Sequence, residues 1–304
     1  MRPSTRLRQL LAQPGIIVAP GVYDALLARL VERAGFPAAY MTGSGIAATT
    51  LGRPDIGLVS FSEMAQRAGY IAEAVSIPVI ADADTGYGGV HNVMRTVRAY
   101  ERAGVAALHL EDQTFPKRCG HFEGKTLVPI EEATAKVRAA VQARSDHDLV
   151  IIARTDARTA VGGGLEEALR RGHAYLAAGA DALFIESPLS QEELRRIGED
   201  FKGVPLLANM VEGGKTPLLS NEELQALGYR IVIYANFLTR SLARTAVGLL
   251  EALRREGTTR GLSERMYTFG EFNALLELEG YFDLEGRLAE EARKMLLTGP
   301  GGAG

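Results

Sequence analysis

Short apolar runs alternate with longer helix-like patterns along most of this chain of 304 residues. Eight of the runs have the length and composition of buried strands. They cover residues 15–21, 38–44, 78–86, 106–112, 149–157, 181–187, 204–210 and 230–236. Between them, apolar residues recur three and four positions apart and a glycine often ends the pattern, as in helices. Strands that are apolar throughout are typical of a parallel sheet covered by helices.

Eight consecutive units of this kind predict an α/β fold, a (β/α)8 barrel of the TIM type. A doubly wound parallel sheet is the alternative. No domain boundary is visible before about residue 250, so we expect one barrel domain over 1–304. This domain would include an N-terminal helix at 1–14, a C-terminal helical extension at 250–297 and a disordered tail at 298–304.

Composition excludes several classes of partner. The formal net charge of -3 leaves no basic surplus for nucleic acid or an anionic membrane. No apolar run approaches the about 18 to 20 residues of a membrane-spanning helix. The single cysteine cannot form an internal disulfide, and the start of the chain does not resemble a secretory signal. We therefore expect a cytoplasmic protein with a small-molecule substrate.

The carboxyl ends of the strands are the place to look for chemistry, because active sites of such barrels lie at that mouth. Nearly every predicted strand of this chain ends in polar or charged residues. They are Thr42, Gly43, Ser44, Asp82, Asp84, His109, Glu111, Arg154, Asp156, Glu186, Asn209 and Asn236. Their convergence predicts a reactive site at the mouth of the barrel.

Asp82 and Asp84 alternate at the end of the third predicted strand, so we expect both carboxylates on one face. Two such charges repel unless a cation lies between them. Mg2+ or Mn2+ is one interpretation, with Asp55 and Glu111 as further oxygen donors. Turn caps or salt bridges to arginine are the other. His109 shares a face with Glu111 and is expected to support the site through a hydrogen bond.

Arg154 follows an apolar run and should lie at the barrel mouth. Its planar fork suits a carboxylate or a phosphate. The alternative is an ion pair with Glu111 or Glu186, and the two interpretations are compatible.

The loop from Gln113 to Ile130 is long enough to act as a lid. It carries the only cysteine, Cys119. The basic residues beside it are Lys117, Arg118 and His121. We expect them to lower the pKa of the thiol from about 8.5 and to make it chemically active. A buried inert cysteine is the alternative.

Five segments occur in a specific order: TGSGIAATTLGRPDIG, ADADTGYGG, LHLEDQTFPKRCGH, ARTDA and ANMVEGGKTP. Together they resemble the isocitrate lyase and phosphoenolpyruvate mutase superfamily, over about residues 8–290. In that superfamily a loop of the KRCGH type marks the carbon-carbon lyases, whose cysteine is a general acid. The resemblance therefore implies a Mg2+-dependent lyase and disfavours a phosphonate mutase.

The resemblance also implies roles for single residues. Mg2+ would be held, directly or through water, by Asp82, Asp84, Asp55, Glu111 and His109. The substrate would be bound by Thr42, Gly43, Ser44, Gly120, Arg154, Glu186, Asn209 and Arg240. The catalytic residues would be Cys119, Tyr40, Lys117, His121 and Arg154, with Tyr40 or a metal-bound water as the base. Members are usually homotetramers that exchange C-terminal helices.

Two departures from the family pattern concern the substrate. Val211 and Gly213 stand where methylisocitrate-cleaving members have other residues, and Phe269 replaces an arginine that grips a third carboxylate. Burying an unpaired carboxylate is costly. We therefore expect a substituted malate, of the 2,3-dimethylmalate kind, to be cleaved to an α-keto acid such as pyruvate and a carboxylic acid. Alternatives are cleavage of 2-methylisocitrate, a carboxyphosphonoenolpyruvate or phosphoenolpyruvate mutase reaction, and oxaloacetate decarboxylation.

Overall fold

A computed structural model describes residues 1–298 and shows a closed barrel of eight parallel strands. Each strand pairs with the next, and the last pairs with the first. The strands β1 to β8 are Ile17–Val22, Ala39–Met41, Val79–Asp82, Ala107–Glu111, Val150–Thr155, Ala182–Ile185, Leu206–Asn209 and Tyr229–Tyr234. The predicted barrel is confirmed, and the doubly wound sheet is excluded. Each strand is shorter than its predicted run, and in every strand except β1 the residues at the carboxyl end of the run already lie beyond the strand, at the mouth.

Each strand is followed in the chain by at least one α-helix. Within residues 1–298, α1 to α12 are Pro3–Ala12, Ala25–Arg33, Gly43–Ile46, Phe61–Glu73, Val90–Arg102, Ile130–Ala143, Leu165–Ala177, Gln191–Asp200, Asn221–Ala226, Phe237–Glu256, Phe269–Leu275 and Leu278–Thr298. In this described part of the chain, no helix is long and apolar enough to cross a bilayer.

The chain divides into two compact units, Met1–Leu242 and the part from Ala243 onward. Helix α10 crosses this boundary without interruption, so the start of the extension expected at 250 falls inside a helix. The helical pattern continues through that point and gives no signal for a break. Of the tail expected at 298–304, Thr298 ends α12 and residues 299–304 lie outside the described residues.

The barrel is filled by side chains that point inward from alternate strand positions. Ile80, Ile152 and Ile231 belong to this inner cluster, while neighbours such as Ile151 pack outward against the helices. Leu7 of α1 is fully buried in the same inner cluster. Helix α1 therefore contributes to the inner packing of the barrel.

Two glycines inside helices differ in their surroundings. A Cβ on Gly198 of α8 would lie 1.8 Å from the backbone oxygen of Leu227, whereas a Cβ on Gly69 of α4 would meet nothing within 4 Å. We expect Gly198→Ala to lower the free energy of unfolding by about 1–3 kcal/mol through overpacking. Gly69→Ala should instead raise it by about 0.5–1 kcal/mol. Urea unfolding followed by circular dichroism measures both, and equal shifts in the two variants would contradict this prediction.

Candidate active site

A small cavity lies at the carboxyl ends of the strands, with a volume of about 30 Å³. That space holds on the order of two water molecules. It is lined by Tyr40, Thr42, Ser44, Asp55, Asp82, Cys119, Gly120, His121, Arg154, Glu186, Asn209, Val211, Ala235 and Asn236. The structure thus brings most of the residues predicted from the strand ends and the lid to one place.

Arg154, on β5, is the central cation of the cavity wall. Its Nε and Nη2 donate hydrogen bonds to Asp156 at 2.9 and 3.2 Å. Its Nη1 lies 3.3 Å from Glu111 Oε2, and its Nη2 lies 3.3 Å from Glu186 Oε2. Burial opposes the charge, but these carboxylates raise the pKa of Arg154 well above its ordinary value. Arg154 therefore forms ion pairs and also lies at the barrel mouth, so the two interpretations of the sequence are both met.

Asp82 and Asp84 are both buried but are oriented by different parts of the backbone. Asp82 ends β3; its Oδ1 accepts a hydrogen bond from the amide of Asp84 at 2.9 Å, and its Oδ2 accepts one from that of Gly43 at 3.3 Å. Asp84 lies beyond the strand with φ of 46°, in the left-handed region. The expected shared strand face is therefore wrong, because a turn and not strand alternation directs Asp84.

Lys117 reaches from the lid into this group of acids. Its Nζ lies 2.5 Å from Asp55 Oδ1 and 2.6 Å from Asp84 Oδ1. Burial alone would lower the pKa of Lys117, but the two carboxylates outweigh it and raise the pKa well above its ordinary value. In this closed arrangement a lysine ammonium occupies the position between two of the predicted metal ligands.

The donor set nevertheless fits a hard divalent cation. Neither carboxylate oxygen of Glu111 accepts a hydrogen bond, although both are buried. Burial raises the pKa of Glu111 well above its usual range and that of Asp84 to about 6. As placed, no three His, Cys, Asp or Glu side chains of residues 1–298 are grouped closely enough to hold a metal ion. The oxygens present are of the kind that Mg2+ prefers, and the two cations beside them, Lys117 and Arg154, are shared among several acids.

His109 and Tyr40 form a buried hydrogen-bonded pair. Tyr40 Oη lies 2.8 Å from His109 Nε2, which is 3.7 Å from Asp82 Oδ1. Burial lowers the pKa of His109 well below its ordinary value and raises that of Tyr40 well above it. The imidazole is therefore neutral, and it shares one hydrogen bond with the phenol between His109 Nε2 and Tyr40 Oη. This geometry fits a supporting role for His109, the role expected from strand alternation.

The pKa of the Cys119 thiol differs from the value expected from its basic neighbours. Cys119 is half-buried, and its backbone amide donates to the carbonyl of Asp55 at 3.2 Å. Burial raises the pKa of the thiol to about 11, so the expected lowering is wrong. Arg118 turns outward to the carbonyl of Glu123, and the charge of Lys117 is held by carboxylates. Desolvation therefore outweighs the basic neighbours.

Glu186 connects the lid to the far wall of the cavity. Its Oε1 lies 3.6 Å from His121 Nε2, and its Oε2 accepts a hydrogen bond from Asn209 Nδ2 at 3.2 Å. His121 Nδ1 accepts the amide of Lys215 at 3.1 Å, and burial lowers the pKa of the ring. A neutral His121 thus presents its Nε2 proton toward Glu186.

Two groups of substrate-binding candidates fall in different places. Thr42, Gly43 and Ser44 lie where β2 passes into α3, and Thr42 Oγ1 lies 3.5 Å from Asn236 Oδ1. Arg240 does not reach the cavity. It is exposed in the first turn of α10, and its Nη1 donates to the carbonyl of Glu212 at 2.7 Å. The expectation that Arg240 completes the pocket does not hold in this conformation, because that turn directs it to Glu212.

Two buried residues that support the cavity, Lys125 and Asp112, were not among the candidates from the sequence. Lys125 is fully buried and donates to Asp156 Oδ1 at 2.9 Å and to the carbonyl of Gly120. Asp112 accepts hydrogen bonds from Thr155, Tyr175 and Arg171 and orients the amide of Asp156. Asp112 directly follows Glu111 at a predicted strand end, which was a usable signal, whereas Asp156 was already among the strand-end candidates. A lysine in a loop gives no such signal, because most are exposed.

A barrel mouth with buried acids, one deeply held arginine and a lid thiol defines an enzyme site for a small anionic substrate. The chain belongs to the phosphoenolpyruvate phosphomutase family, which matches residues 7–254. The resemblance to the isocitrate lyase and phosphoenolpyruvate mutase superfamily is thereby confirmed.

Relatives with named activities cover nearly the whole chain. It is 51% identical to 2,3-dimethylmalate lyase of Eubacterium barkeri, over 94% of this chain and 98% of the relative. It is 44% identical to 2-methylisocitrate lyase of Aeropyrum pernix, over 96% and 92%. A crystal structure of 2,3-dimethylmalate lyase superposes with a TM-score of 0.88 at 43% identity, covering 95% and 96%. Phosphonopyruvate hydrolase in complex with oxalate and Mg2+ gives 0.84 at 35%, covering 94% and 99%.

The raised pKa of Cys119 can be measured directly, because no other cysteine is present. We expect the rate of alkylation by iodoacetamide to keep rising up to a midpoint at about 11, since burial disfavours the thiolate. The same protein unfolded in urea should give a midpoint of about 8.5. A midpoint at or below that of the unfolded chain would contradict the prediction.

Proposed function

We propose that this protein is a Mg2+-dependent carbon-carbon lyase that cleaves a substituted 2-hydroxy dicarboxylate, of the 2,3-dimethylmalate kind, to pyruvate and a carboxylic acid. The observation that carries the proposal is the position of Cys119, on the loop that lines the same cavity as buried Arg154. The 51% identity to a 2,3-dimethylmalate lyase supports it.

Arg154 is the proposed anchor for the substrate. Its guanidinium faces the cavity and offers charged N–H groups to a carboxylate. Asn209 Oδ1 has no hydrogen-bond partner among the described residues, so it is available to accept a hydrogen bond from the substrate. Both groups are fixed by Glu186. The substrate is thus oriented before the bond breaks, which lowers the entropic part of the barrier.

Asp82, Asp84, Asp55 and Glu111 would hold Mg2+, directly or through water, with His109 behind them. When bound, the ion supplies positive charge against the hydroxyl and carboxylate oxygens of the substrate. Burial raises the pKa of Glu111, and neither of its carboxylate oxygens accepts a hydrogen bond, which supports the assignment.

The cleavage itself needs one proton removed and one delivered. Transfer of the hydroxyl proton to a base of the cavity, the role that the resemblance gives to Tyr40, lets the oxygen form a carbonyl while the adjacent carbon-carbon bond breaks. The electron pair remains on the other fragment as an enediolate. Cys119 gives that carbon a proton and becomes a thiolate, which is reprotonated from solvent when the lid opens. A thiol with a pKa of about 11 keeps its proton at neutral pH, so it suits an acid better than a nucleophile.

The cavity wall favours a malate over a tricarboxylate. Val211 and Ala235 contribute apolar surface there, and Arg240 points to Glu212 instead of into the cavity. A third carboxylate would lack a cationic partner, and leaving it buried is costly. Methyl substituents, by contrast, can pack on apolar side chains. Cleavage of 2-methylisocitrate is the second candidate, supported by the 44% identity to an enzyme of that name.

The test is a coupled pyruvate assay on purified protein. We expect pyruvate from 2,3-dimethylmalate, loss of activity with EDTA, and recovery with excess Mg2+. Cys119→Ser should lower kcat by about 10²–10⁴-fold, the range for a lost general acid. Thr126→Ala, an exposed lid variant, should stay near the parent enzyme. Full activity of Cys119→Ser would remove the acid role.

A substrate panel separates the remaining reactions. 2,3-Dimethylmalate, 2-methylisocitrate and oxaloacetate are compared by kcat/KM, and phosphorus NMR follows a phosphoenol substrate. We expect 2,3-dimethylmalate to exceed 2-methylisocitrate by at least about tenfold, which corresponds to one poorly paired group. A higher kcat/KM for 2-methylisocitrate, or a phosphonate product, would replace the proposed substrate.

We also propose a cytoplasmic homotetramer. The second unit carries exposed aromatic side chains, including Phe269, Tyr281 and Phe282, with 87%, 64% and 61% of their surface exposed. Apolar surface of this kind calls for a partner. Light scattering on the full chain should give four times the chain mass. A concentration-independent monomer would contradict the assembly without affecting the lyase proposal.

A further inference from the structure

Lys125 is a fully buried cation at the base of the lid. None of its side-chain surface is exposed, and the same is true of its partner Asp156. Its Nζ lies 2.9 Å from Asp156 Oδ1 and also donates to the carbonyl of Gly120. Gly120 follows Cys119 directly, so one ammonium connects the thiol-bearing segment of the lid to the barrel.

Asp156 is in turn the main support of Arg154. Its two carboxylate oxygens accept hydrogen bonds from Nε and Nη2 of the guanidinium. Its own amide donates to Asp112 Oδ1 at 3.0 Å, which fixes the backbone from behind. Burial would raise the pKa of Asp156, but Arg154 and Lys125 outweigh it and hold the pKa below its ordinary range. The carboxylate is therefore ionised and shared between two cations.

The lid also rests directly on the substrate-binding arginine. A Cβ on Gly120 would lie 2.6 Å from Arg154 Nη2 and 2.5 Å from Glu186 Cγ, so only glycine allows this approach. Ser187 Oγ gives the Gly120 carbonyl a second donor at 3.2 Å. In the closed lid, the backbone of Gly120 therefore lies against Arg154, which is itself held by Asp156.

We propose that Lys125 and Asp156 are positioning residues that latch the lid and couple its closure to the placement of Arg154. Opening the lid separates the Gly120 carbonyl from Lys125 and Ser187, and closing it restores both contacts. The latch therefore delivers the thiol of Cys119 only when Arg154 is also held in place. The contacts that couple the lid to Arg154 are present without substrate. Their role in catalysis rests on the proposed lyase function.

Hydrogen exchange tests the latch without any substrate. Lys125→Met keeps the length of the side chain and removes its charge. We expect the backbone amides of residues 118–122 to exchange at least about tenfold faster in this variant, because the opening equilibrium of the lid shifts. The matched control is Lys136→Met, which removes another buried lysine, paired with Glu132 on α6 and outside the lid. Unchanged exchange in Lys125→Met, or the same increase in the control, overturns the latch.

A kinetic double-mutant cycle tests its catalytic meaning. If Lys125 acts by delivering Cys119, Lys125→Met lowers kcat by about 10²-fold in the parent enzyme but by less than about threefold in the Cys119→Ser background. A purely structural defect gives equal losses in both backgrounds and overturns the positioning role. If Lys125→Met does not fold, Ser187→Ala replaces it in both experiments. Lyase activity unaffected by Cys119→Ser overturns the proposed function alone, because the exchange result does not depend on it.

Discussion

Buried carboxylates outnumber buried cations at the mouth of the barrel, and the arrangement of the site depends on this imbalance. The acids are Asp82, Asp84, Glu111, Asp156 and Glu186, and the cations are Arg154, Lys117 and Lys125. Two of the cations therefore serve more than one acid: Lys117 contacts two, and Arg154 contacts three. An uncompensated buried charge costs several kcal/mol, which is why burial raises the pKa values of Asp82, Asp84 and Glu111. A divalent cation among these oxygens would remove the surplus.

The barrel was predictable because its signal is local and repeats eight times. The runs that become β4 and β5 begin with apolar residues and end in polar or charged ones. The fold itself then converts those ends into one site, since parallel strands of a barrel share a mouth. Arg154 could thus be placed beside His109 and Glu111 from the sequence, although it belongs to the following strand.

The features that sequence could not supply are set by contacts across the fold. The basic neighbours of Cys119 suggested a low thiol pKa, but Arg118 turns away and burial dominates. The orientation of Asp84 follows from a left-handed backbone position, which strand alternation does not anticipate. Lys125 has no local feature that distinguishes it from a surface lysine. Its burial depends on a pairing with Asp156, 31 positions away in the chain.

The size of the closed cavity determines how such a site must work. Its volume of about 30 Å³ is far too small for a substituted dicarboxylate, so the lid has to open before the substrate can bind. Lys117 and Cys119 both lie on that lid, and both therefore leave the acids of the barrel during opening. In the proposed lyase reaction, Cys119 would return only when the lid closes over bound substrate. The carbanionic fragment would then meet Cys119 before water has access, and a single group would control where the proton is delivered.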